Sequence, residues 1–178
     1  EGEPAVNGRS GFVDVTRNSY YEDAVTWAAD NDIVNGTGNL TFSPNANVTR
    51  EQMAAILYRY AQYKRYHISA SASLTGFSDA ASVSTYAKTP LSWAVAEGLV
   101  KGTDGRLLPK GSATRAQVAA ILHRFVENIV KCSPKAPLGN KGRLDFDQAH
   151  PPHLLFIQCC WYDNRKGTRL RGREREVR

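Results

Sequence analysis

Cysteine is absent from the first 131 of the 178 residues, and the three cysteines that follow have no CxxC spacing. The sequence therefore contains no motif of the zinc-binding or thiol-redox type. No stretch of about 18 consecutive apolar residues is present, so no segment is expected to insert into a membrane. The chain begins at Glu1 without a charged and then apolar leader. We expect that any export signal has been removed or lies outside this sequence.

Excess charge is also absent from most of the chain, although the net charge of the whole is +6. Residues 1–131 hold 13 lysines and arginines against 12 aspartates and glutamates, a net charge of +1. Residues 132–178 hold 10 against 5, a net charge of +5. A basic tail without interleaved aromatic residues is usually solvated, so the sequence argues against a nucleic-acid partner.

No arrangement of side chains typical of catalysis stands out. The four histidines are scattered, without the spacing to cysteines or carboxylates that a metal ion requires. There is no Ser/His/Asp set, no paired-carboxylate motif and no phosphate-binding glycine loop. Asp14 and Asp79 are expected to act as caps or ion-pair partners. We therefore predict no enzyme activity, no cofactor and no metal site.

An internal repeat with an offset of 65 or 66 residues organises the chain up to residue 131. Equivalent residues keep their identity and their order along the two copies. The matching pairs include Phe12 with Phe77, Asp14 with Asp79, Trp27 with Trp93, Gly36 with Gly102, Pro44 with Pro109 and Thr49 with Thr114. So many separated matches at offsets of 65 or 66 residues do not arise by chance.

Each copy is predicted to form a helix, a loop and a second helix. Apolar residues in 21–28 recur at i, i+3, i+4 and i+7, the spacing of a short amphipathic helix. Pro90 falls in the equivalent helix of the second copy, where only the first turn tolerates proline. Residues 37–47 and 103–112 are rich in Gly, Asn, Pro, Ser and Thr, which indicates loops.

The second helix of each copy is predicted to begin with a Thr-x-x-Gln capping box, at Thr49 and at Thr114. Apolar stripes follow, and stripes of this kind must pack against other helices. They comprise Met53, Ile56, Leu57, Tyr60 and Ala61 in the first copy and Val118, Ile121, Leu122, Phe125, Val126 and Ile129 in the second. We predict an all-α fold, a small helical bundle built from tandem helix-loop-helix repeats and followed by an irregular C-terminal tail.

The repeat boundaries divide the chain into four segments. Residues 1–11 are a linker, residues 12–66 and 67–131 are the two repeats, and residues 132–178 are a basic tail. The tail contains an isolated apolar run at 154–162. This run either docks on the repeats, covers a face that they leave bare, or belongs to a disordered segment.

These motifs resemble the S-layer homology (SLH) family. The family pattern is Phe-x-Asp-Val, a tryptophan-containing helix, Gly-Ile/Leu-Val-x-Gly, Phe-x-Pro, and Thr-Arg-Ala-Glu at the start of a second helix. The first copy follows it at Phe12, Asp14, Val15, Ala24, Val25, Trp27, Ile33, Val34, Gly36, Phe42, Pro44, Thr49 and Arg50. The resemblance covers about residues 12–130. Three departures are Gln52 and Gln117 in place of glutamate, Leu107 in place of phenylalanine, and two repeats where the family usually has three.

The resemblance implies a non-catalytic module at the bacterial cell surface, attached to the passenger domains of a larger exported protein. The family binds secondary cell-wall polysaccharides, often bearing a ketal pyruvate, in grooves between neighbouring repeats. The arginine of its Thr-Arg motif is the main anion contact, which corresponds to Arg50 and Arg115. The alternative for these arginines is an internal ion pair, for instance with Asp14 or Asp79.

Four further residues are candidates for ligand contact. Trp27 and Trp93 could stack on a sugar ring, although an indole on an amphipathic helix more often fills a core. Gly36 and Gly102 answer a backbone requirement, or else present a bare amide to a ligand.

Two repeats are also expected to leave one flank of each apolar stripe bare. A bare apolar face usually marks an interface. A second copy of the chain, the tail, or a further repeat would cover it, and self-association ranks first because the tail lacks helical periodicity. A protein–protein interaction module of a bacterial surface protein is therefore the alternative function.

Overall fold

The computed structural model describes residues 4–132, and the predictions for the tail, including the run at 154–162, lie outside the described residues. Within residues 4–132 the architecture is all-α, as predicted, with isolated bridges and no strands. The four helices are α1 (Glu22–Asp30), α2 (Arg50–Tyr63), α3 (Lys88–Ala96) and α4 (Arg115–Phe125). Two 3-10 turns, Ala80–Ser82 and Thr85–Ala87, precede α3, and a π-helical turn, Val126–Val130, extends α4.

The two longer helices begin at complete capping boxes, which confirms the prediction for both. In α2 the hydroxyl of Thr49 accepts a hydrogen bond from the backbone N–H of Gln52 at 3.3 Å, and the Gln52 side chain accepts one from the Thr49 N–H at 2.8 Å. Thr114 and Gln117 repeat this arrangement in α4. Each box pairs two N–H groups that a helix start leaves without an intrahelical partner.

The shorter helices α1 and α3 end in the same way. Asp32 and Gly98 lie 66 residues apart, and both adopt a positive φ, of 56° and 69°. The backbone N–H groups of the next residues, Ile33 and Leu99, donate to the carbonyls of Ala28 and Ala94 at 2.8 Å. These left-handed termini turn the chain towards the loop that follows. Pro90 is the third residue of α3, within its first turn as predicted.

The main hydrophobic core lies between α2, α3 and α4. Its buried members are Ala54, Leu57, Ala61, Val83, Ala87, Leu91, Trp93, Ala94, Leu99, Val100, Leu107, Ile121, Phe125 and Ile129. Helix α1 contributes no residue to this cluster, because its buried side chains are Val25 and Thr26. The second helix of the first repeat therefore packs mainly on the first helix of the second repeat.

The predicted apolar stripe of α4 is wider than the face that the structure buries. Ile121 and Phe125 are buried, and Ile129 continues the same face in the π turn. Leu122 and Val126 were assigned to the same stripe, but each is 43% exposed. They lie on a neighbouring face of the helix that no described element covers. The expectation of a bare apolar flank matches this part of α4, whereas no residue of the predicted α2 stripe is exposed.

Candidate functional site

A groove with a volume of about 180 Å³ lies where α2 of the first repeat meets the second repeat. Its walls come from the start of α2, from the loop after α3 and from one face of α4. The lining residues are Arg50, Leu99, Val100, Lys101, Gly102, Thr103, Leu107, Gln117, Ala120, Ile121 and Arg124. Two of the predicted ligand-contact residues, Arg50 and Gly102, therefore meet in one groove, although they belong to different repeats.

The first turn of α2 is docked on a loop of the second repeat. The backbone N–H of Arg50 donates to the carbonyl of Gly111 at 3.0 Å, and that of Glu51 donates to Pro109 at 3.1 Å. The guanidinium Nη1 of Arg50 donates to the carbonyl of Leu108 at 3.3 Å. Three donors of α2 thus use three carbonyls of one loop, which fixes where the Arg50 side chain enters the groove.

Glu51 strengthens the same contact from a buried position. It is 2% exposed, and its carboxylate accepts hydrogen bonds from the N–H and hydroxyl of Ser84, from the Tyr86 hydroxyl and from the Lys110 ammonium. Burial alone would raise the pKa of Glu51, but the hydrogen bonds from Lys110 and Ser84 outweigh it and the pKa is lowered. Burial and the nearby Glu51 charge raise the pKa of Tyr86 to about 12.

Two cations that sequence reasoning missed also line the groove, Arg124 and Lys101. The guanidinium of Arg124 donates to the carbonyl of Leu99 at 3.0 Å, which orients it along the wall. Arg124 follows Ile121 by three residues on α4, a helical spacing that places it on the groove face. The repeated arginine at 59 and 124 was the signal that could have identified it.

The two glycines serve the backbone of the loops. Gly36 and Gly102 have φ values of 73° and 71°, a region that glycine enters without strain. A Cβ at Gly36 would lie 2.6 Å from Cε1 of Phe12, and a Cβ at Gly102 would lie 2.7 Å from Cε1 of Phe77. A side chain fits at neither position. Gly102 also lines the groove. Its backbone requirement and a contact with a ligand are therefore compatible.

The two repeated aspartates hold the loops and do not pair with the candidate arginines. Asp14 accepts hydrogen bonds from the backbone N–H groups of Phe42 and Ser43, at 2.8 and 2.7 Å. Asp79 accepts from Leu107 and Leu108, both at 2.8 Å. The bond from Phe42 contributes most to lowering the pKa of Asp14. For Asp79 the two amides outweigh desolvation, and its pKa is also lowered.

The equivalents in the other repeat are not placed in the same way. Arg115 is exposed at the start of α4, and its side chain makes no hydrogen bond or ion pair within residues 4–132. Trp27 is half-buried and packs edge-on against Tyr63, with ring centroids 5.5 Å apart. Trp93 is 1% exposed and packs against Tyr58 at 5.3 Å. The core alternative thus describes Trp93, whose buried indole leaves no free face for stacking on a sugar.

Metal-binding and membrane-spanning features do not occur in the described part of the chain. Within residues 4–132, no group of three or more His, Cys, Asp or Glu residues could hold a metal ion. Among those same residues, none of the helices has the length and apolar character needed to cross a membrane.

Comparison with known proteins shows a matching family and several relatives. The model of the S-layer homology domain matches residues 11–54 and 76–119. The surface-layer 125 kDa protein of Lysinibacillus sphaericus is 32% identical over 137 residues, which is 75% of this chain and 11% of that protein. The amylopullulanase of Thermoanaerobacterium thermosulfurigenes is 37% identical over 121 residues, 65% of this chain and 6% of the enzyme. Exoglucanase XynX of Acetivibrio thermocellus is 35% identical over 130 residues, 70% of this chain and 11% of the enzyme.

Proposed function

This chain belongs to the S-layer homology domain family, of which it carries two tandem repeats, and on that basis we propose that it anchors a cell-surface protein to an anionic cell-wall polysaccharide. The chain spans 6% to 11% of the length of the relatives described above. One of these relatives is a surface-layer protein and two are enzymes. A segment shared by whole proteins of such different kinds is expected to be an attachment module, with catalysis in the passenger domains. We therefore place the module outside the cell, at the wall.

The observation that carries the proposal is the charge of the groove. Arg50, Lys101 and Arg124 line it, and no aspartate or glutamate is among the lining residues. Converging cations of this kind recognise carboxylates and phosphates, because charge-assisted hydrogen bonds to arginine are strong and directional. A polysaccharide with an acidic substituent, such as a ketal pyruvate, has the matching chemistry. The backbone at Gly102 completes the contact surface.

Two other regions each contain some of the residues that a further binding groove would need. They are the start of α4 and the loop of the first repeat. Arg115 occupies the place in α4 that Arg50 has in α2. Gly36 belongs to the loop equivalent to that of Gly102, and Trp27 lies in the same repeat. We propose that Arg115 contacts the polymer in a groove that a further repeat would complete, and that the loop of Gly36 contributes to another.

Arg50→Ala tests the proposal. Loss of a charge-assisted contact costs about 1.5–3 kcal/mol, or roughly a 10- to 150-fold weaker binding. Sedimentation of the protein with polymer-bearing walls, compared with walls stripped of the polymer, measures this binding. Arg17→Ala, an exposed arginine outside the groove, serves as the matched control and is expected to bind like the wild type. Wild-type binding by Arg50→Ala, by Arg124→Ala and by the double variant would show that the groove is not the anion site.

A protein–protein interaction module is the second candidate, and the exposed Leu122 and Val126 favour it. If this face mediates self-association, the full chain will sediment as a dimer or larger species at micromolar concentration. Leu122→Ser combined with Val126→Ser should then restore the monomer. A wild-type chain that remains monomeric would remove self-association from consideration.

A further inference from the structure

We propose that Gly111 and Glu51 are positioning residues that hold the Arg50 guanidinium in the groove, and that the loop of the second repeat is specialised for this task. The inference rests on the proposed function of Arg50, because it concerns how that arginine is presented to the anion. It also makes a claim about the free protein, which can be tested without any ligand.

Gly111 leaves the space through which the Arg50 side chain passes. A Cβ at position 111 would lie 2.6 Å from Nη1 of Arg50 and 3.2 Å from the carbonyl oxygen of Leu108. Real Cβ contacts below 3.0 Å essentially do not occur, so the guanidinium would have to move. The backbone of Gly111 does not have a positive φ, so another residue could adopt its conformation. Because Nη1 is the far end of a flexible side chain, an alanine at 111 would displace the guanidinium at little cost to the fold, and glycine leaves room for it in its present place.

The same turn also presents the acceptor for Arg50. The N–H of Gly111 donates to the carbonyl of Leu108 at 3.0 Å, and Nη1 of Arg50 donates to that carbonyl at 3.3 Å. The carbonyl of Gly111 in turn accepts from the backbone N–H of Arg50 at 3.0 Å. The single turn at 108–111 thus fixes both the backbone and the guanidinium of the arginine.

Glu51 holds this turn against α2 from the other side. Its carboxylate binds the Lys110 ammonium at 2.7 Å, and Lys110 immediately precedes Gly111. The N–H and hydroxyl of Ser84, together with the Tyr86 hydroxyl, complete the coordination of the carboxylate. Without Glu51 the turn would lose its ionic contact with α2, so the position of Arg50 relative to the groove would be less constrained.

The first repeat forms the same turn, in which the Ala46 N–H donates to the carbonyl of Ser43 at 3.0 Å, but it lacks the residues that act on Arg50. Position 46, equivalent to 111, is alanine, and position 45, equivalent to 110, is asparagine. Position 116, equivalent to 51, is alanine. An arginine approaching the first repeat in the manner of Arg50 would meet the Ala46 methyl group. The two repeats thus share the Thr-Arg sequence, but only the second has a glycine and a lysine in the turn that receives the arginine side chain.

Gly111→Ala tests the steric part, with Gly76→Ala as its matched control. Gly76 lies in the same repeat and also lacks a positive φ, and a Cβ added there would have no atom within 4 Å, so its change to alanine meets no neighbour. We expect Gly111→Ala to bind polymer-bearing walls roughly 5- to 20-fold more weakly, because most of the Arg50 contact would be lost. The melting temperature should stay within a few degrees of the wild type, and Gly76→Ala should bind normally. Wild-type binding by Gly111→Ala, while Arg50→Ala is defective, would overturn the assignment.

A readout from the free protein separates this inference from the proposed function. The side-chain NMR signal of Arg50, identified by its disappearance in Arg50→Ala, should shift in Gly111→Ala and remain in place in Gly76→Ala. If Arg50→Ala, Arg124→Ala and the double variant all bind walls normally, the groove is not the anion site, and the NMR comparison alone then decides whether Gly111 positions Arg50. An unshifted Arg50 signal in Gly111→Ala would refute the positioning role in either case.

Amide hydrogen exchange tests Glu51. In Glu51→Ala the backbone amides at positions 50 and 51 should exchange about tenfold faster or more, because their acceptors lie on the loosened turn. The Thr37 amide, which donates to Thr41 within the first repeat at 2.8 Å, is the internal control and should keep its protection. Glu51→Gln retains an oxygen that can accept from Ser84 and Tyr86, so it should restore part of the protection. Equal acceleration at all three amides would indicate general destabilisation of the fold. No acceleration would show that Glu51 does not hold the turn. Either result would refute its positioning role.

Discussion

The two repeats share one sequence pattern but differ in how deeply equivalent residues are buried. Trp93 is 1% exposed, whereas its equivalent Trp27 is only half-buried. Leu57 is 7% exposed, whereas its equivalent Leu122 is 43% exposed. In each pair the better-buried residue lies where α2 of the first repeat meets α3 of the second. The difference shows that a repeat does not bury these helices by itself: Trp93 packs on Phe125 of its own repeat and also on Tyr58 of the neighbouring one, as helices do in other stacked-repeat proteins.

The tryptophan pair should show the largest difference in stability. Trp93→Ala removes a fully buried ring and should lower the free energy of unfolding by about 3–5 kcal/mol. Trp27→Ala should cost roughly half as much, because its ring is already partly in water. Urea unfolding followed by circular dichroism measures both values. Equal losses would mean that α1 and α3 are buried to the same extent in solution, which would break the comparison.

The leucine pair tests the same difference on the second helices. Leu57→Ala should cost about 2–5 kcal/mol, since it leaves a cavity between α2 and α3. Leu122→Ala should change stability by no more than about 0.5 kcal/mol, because the side chain lies at an uncovered surface. The two variants change equivalent positions of the repeat and can be compared by thermal unfolding. A large loss for Leu122→Ala would indicate that something outside residues 4–132 covers α4.

The capping boxes provide the converse test, because the two repeats have the same box and should respond equally to its loss. Thr49→Ala and Thr114→Ala each remove the acceptor for an N–H in the first helical turn. Each should lower stability by about 0.5–2 kcal/mol, and the two losses should agree within error. Differential scanning calorimetry of the two variants provides the test. An unchanged melting temperature in either would show that its threonine does not stabilise the helix start.

The smallest loss of stability is expected in mild acid. It comes from Glu51, whose equivalent in the second repeat, Ala116, has no ionisable group. The pKa of Glu51 in the folded protein is lowered from its ordinary value of 4.5. Its stabilising contribution is therefore present above pH 4.5 and is lost as the pH falls through the lowered pKa. The loss from this group should therefore begin below pH 4.5 and grow as the pH falls further. Stability measured against pH should fall less steeply in Glu51→Gln, and an identical slope would show that Glu51 does not contribute.

The local parts of the fold could be predicted from the sequence because short-range chemistry determines them. The capping boxes at Thr49 and Thr114 need only residues within one turn. Pro90 had to lie in the first turn of a helix for the same kind of reason. The all-α architecture followed from the helical spacing of apolar residues. In each case the residues that form the structure are close together in the sequence.

The candidate site was only partly predictable, because it depends on contacts between residues far apart in the sequence. The Thr-Arg motif predicts the same role for Arg50 and Arg115. The two differ in the structure because only the Arg50 side chain is seen to donate to a loop carbonyl, that of Leu108. The contact of Glu51 with the second repeat could not be predicted, because a glutamate in the first helical turn is common for reasons of the helix dipole alone. Gly111 lies in a glycine- and serine-containing loop where glycine has many explanations. The ligand contacts of all these residues remain predictions.

The docking of α2 on the loop of the second repeat joins two different surfaces, a helix start and a turn. An interface of this type is heterologous, so among residues 4–132 it leaves two unlike surfaces unused at the ends of the pair. One is the start of α4 with Arg115, and the other is the turn that contains Ala46. A further repeat can therefore dock on the start of α4 without altering the contacts already made, whereas a helix that docks on the turn at Ala46 must place its arginine differently from Arg50. The number of repeats is consequently not encoded within a repeat, and an anchoring segment of this kind can be lengthened or shortened by duplication or loss of whole units.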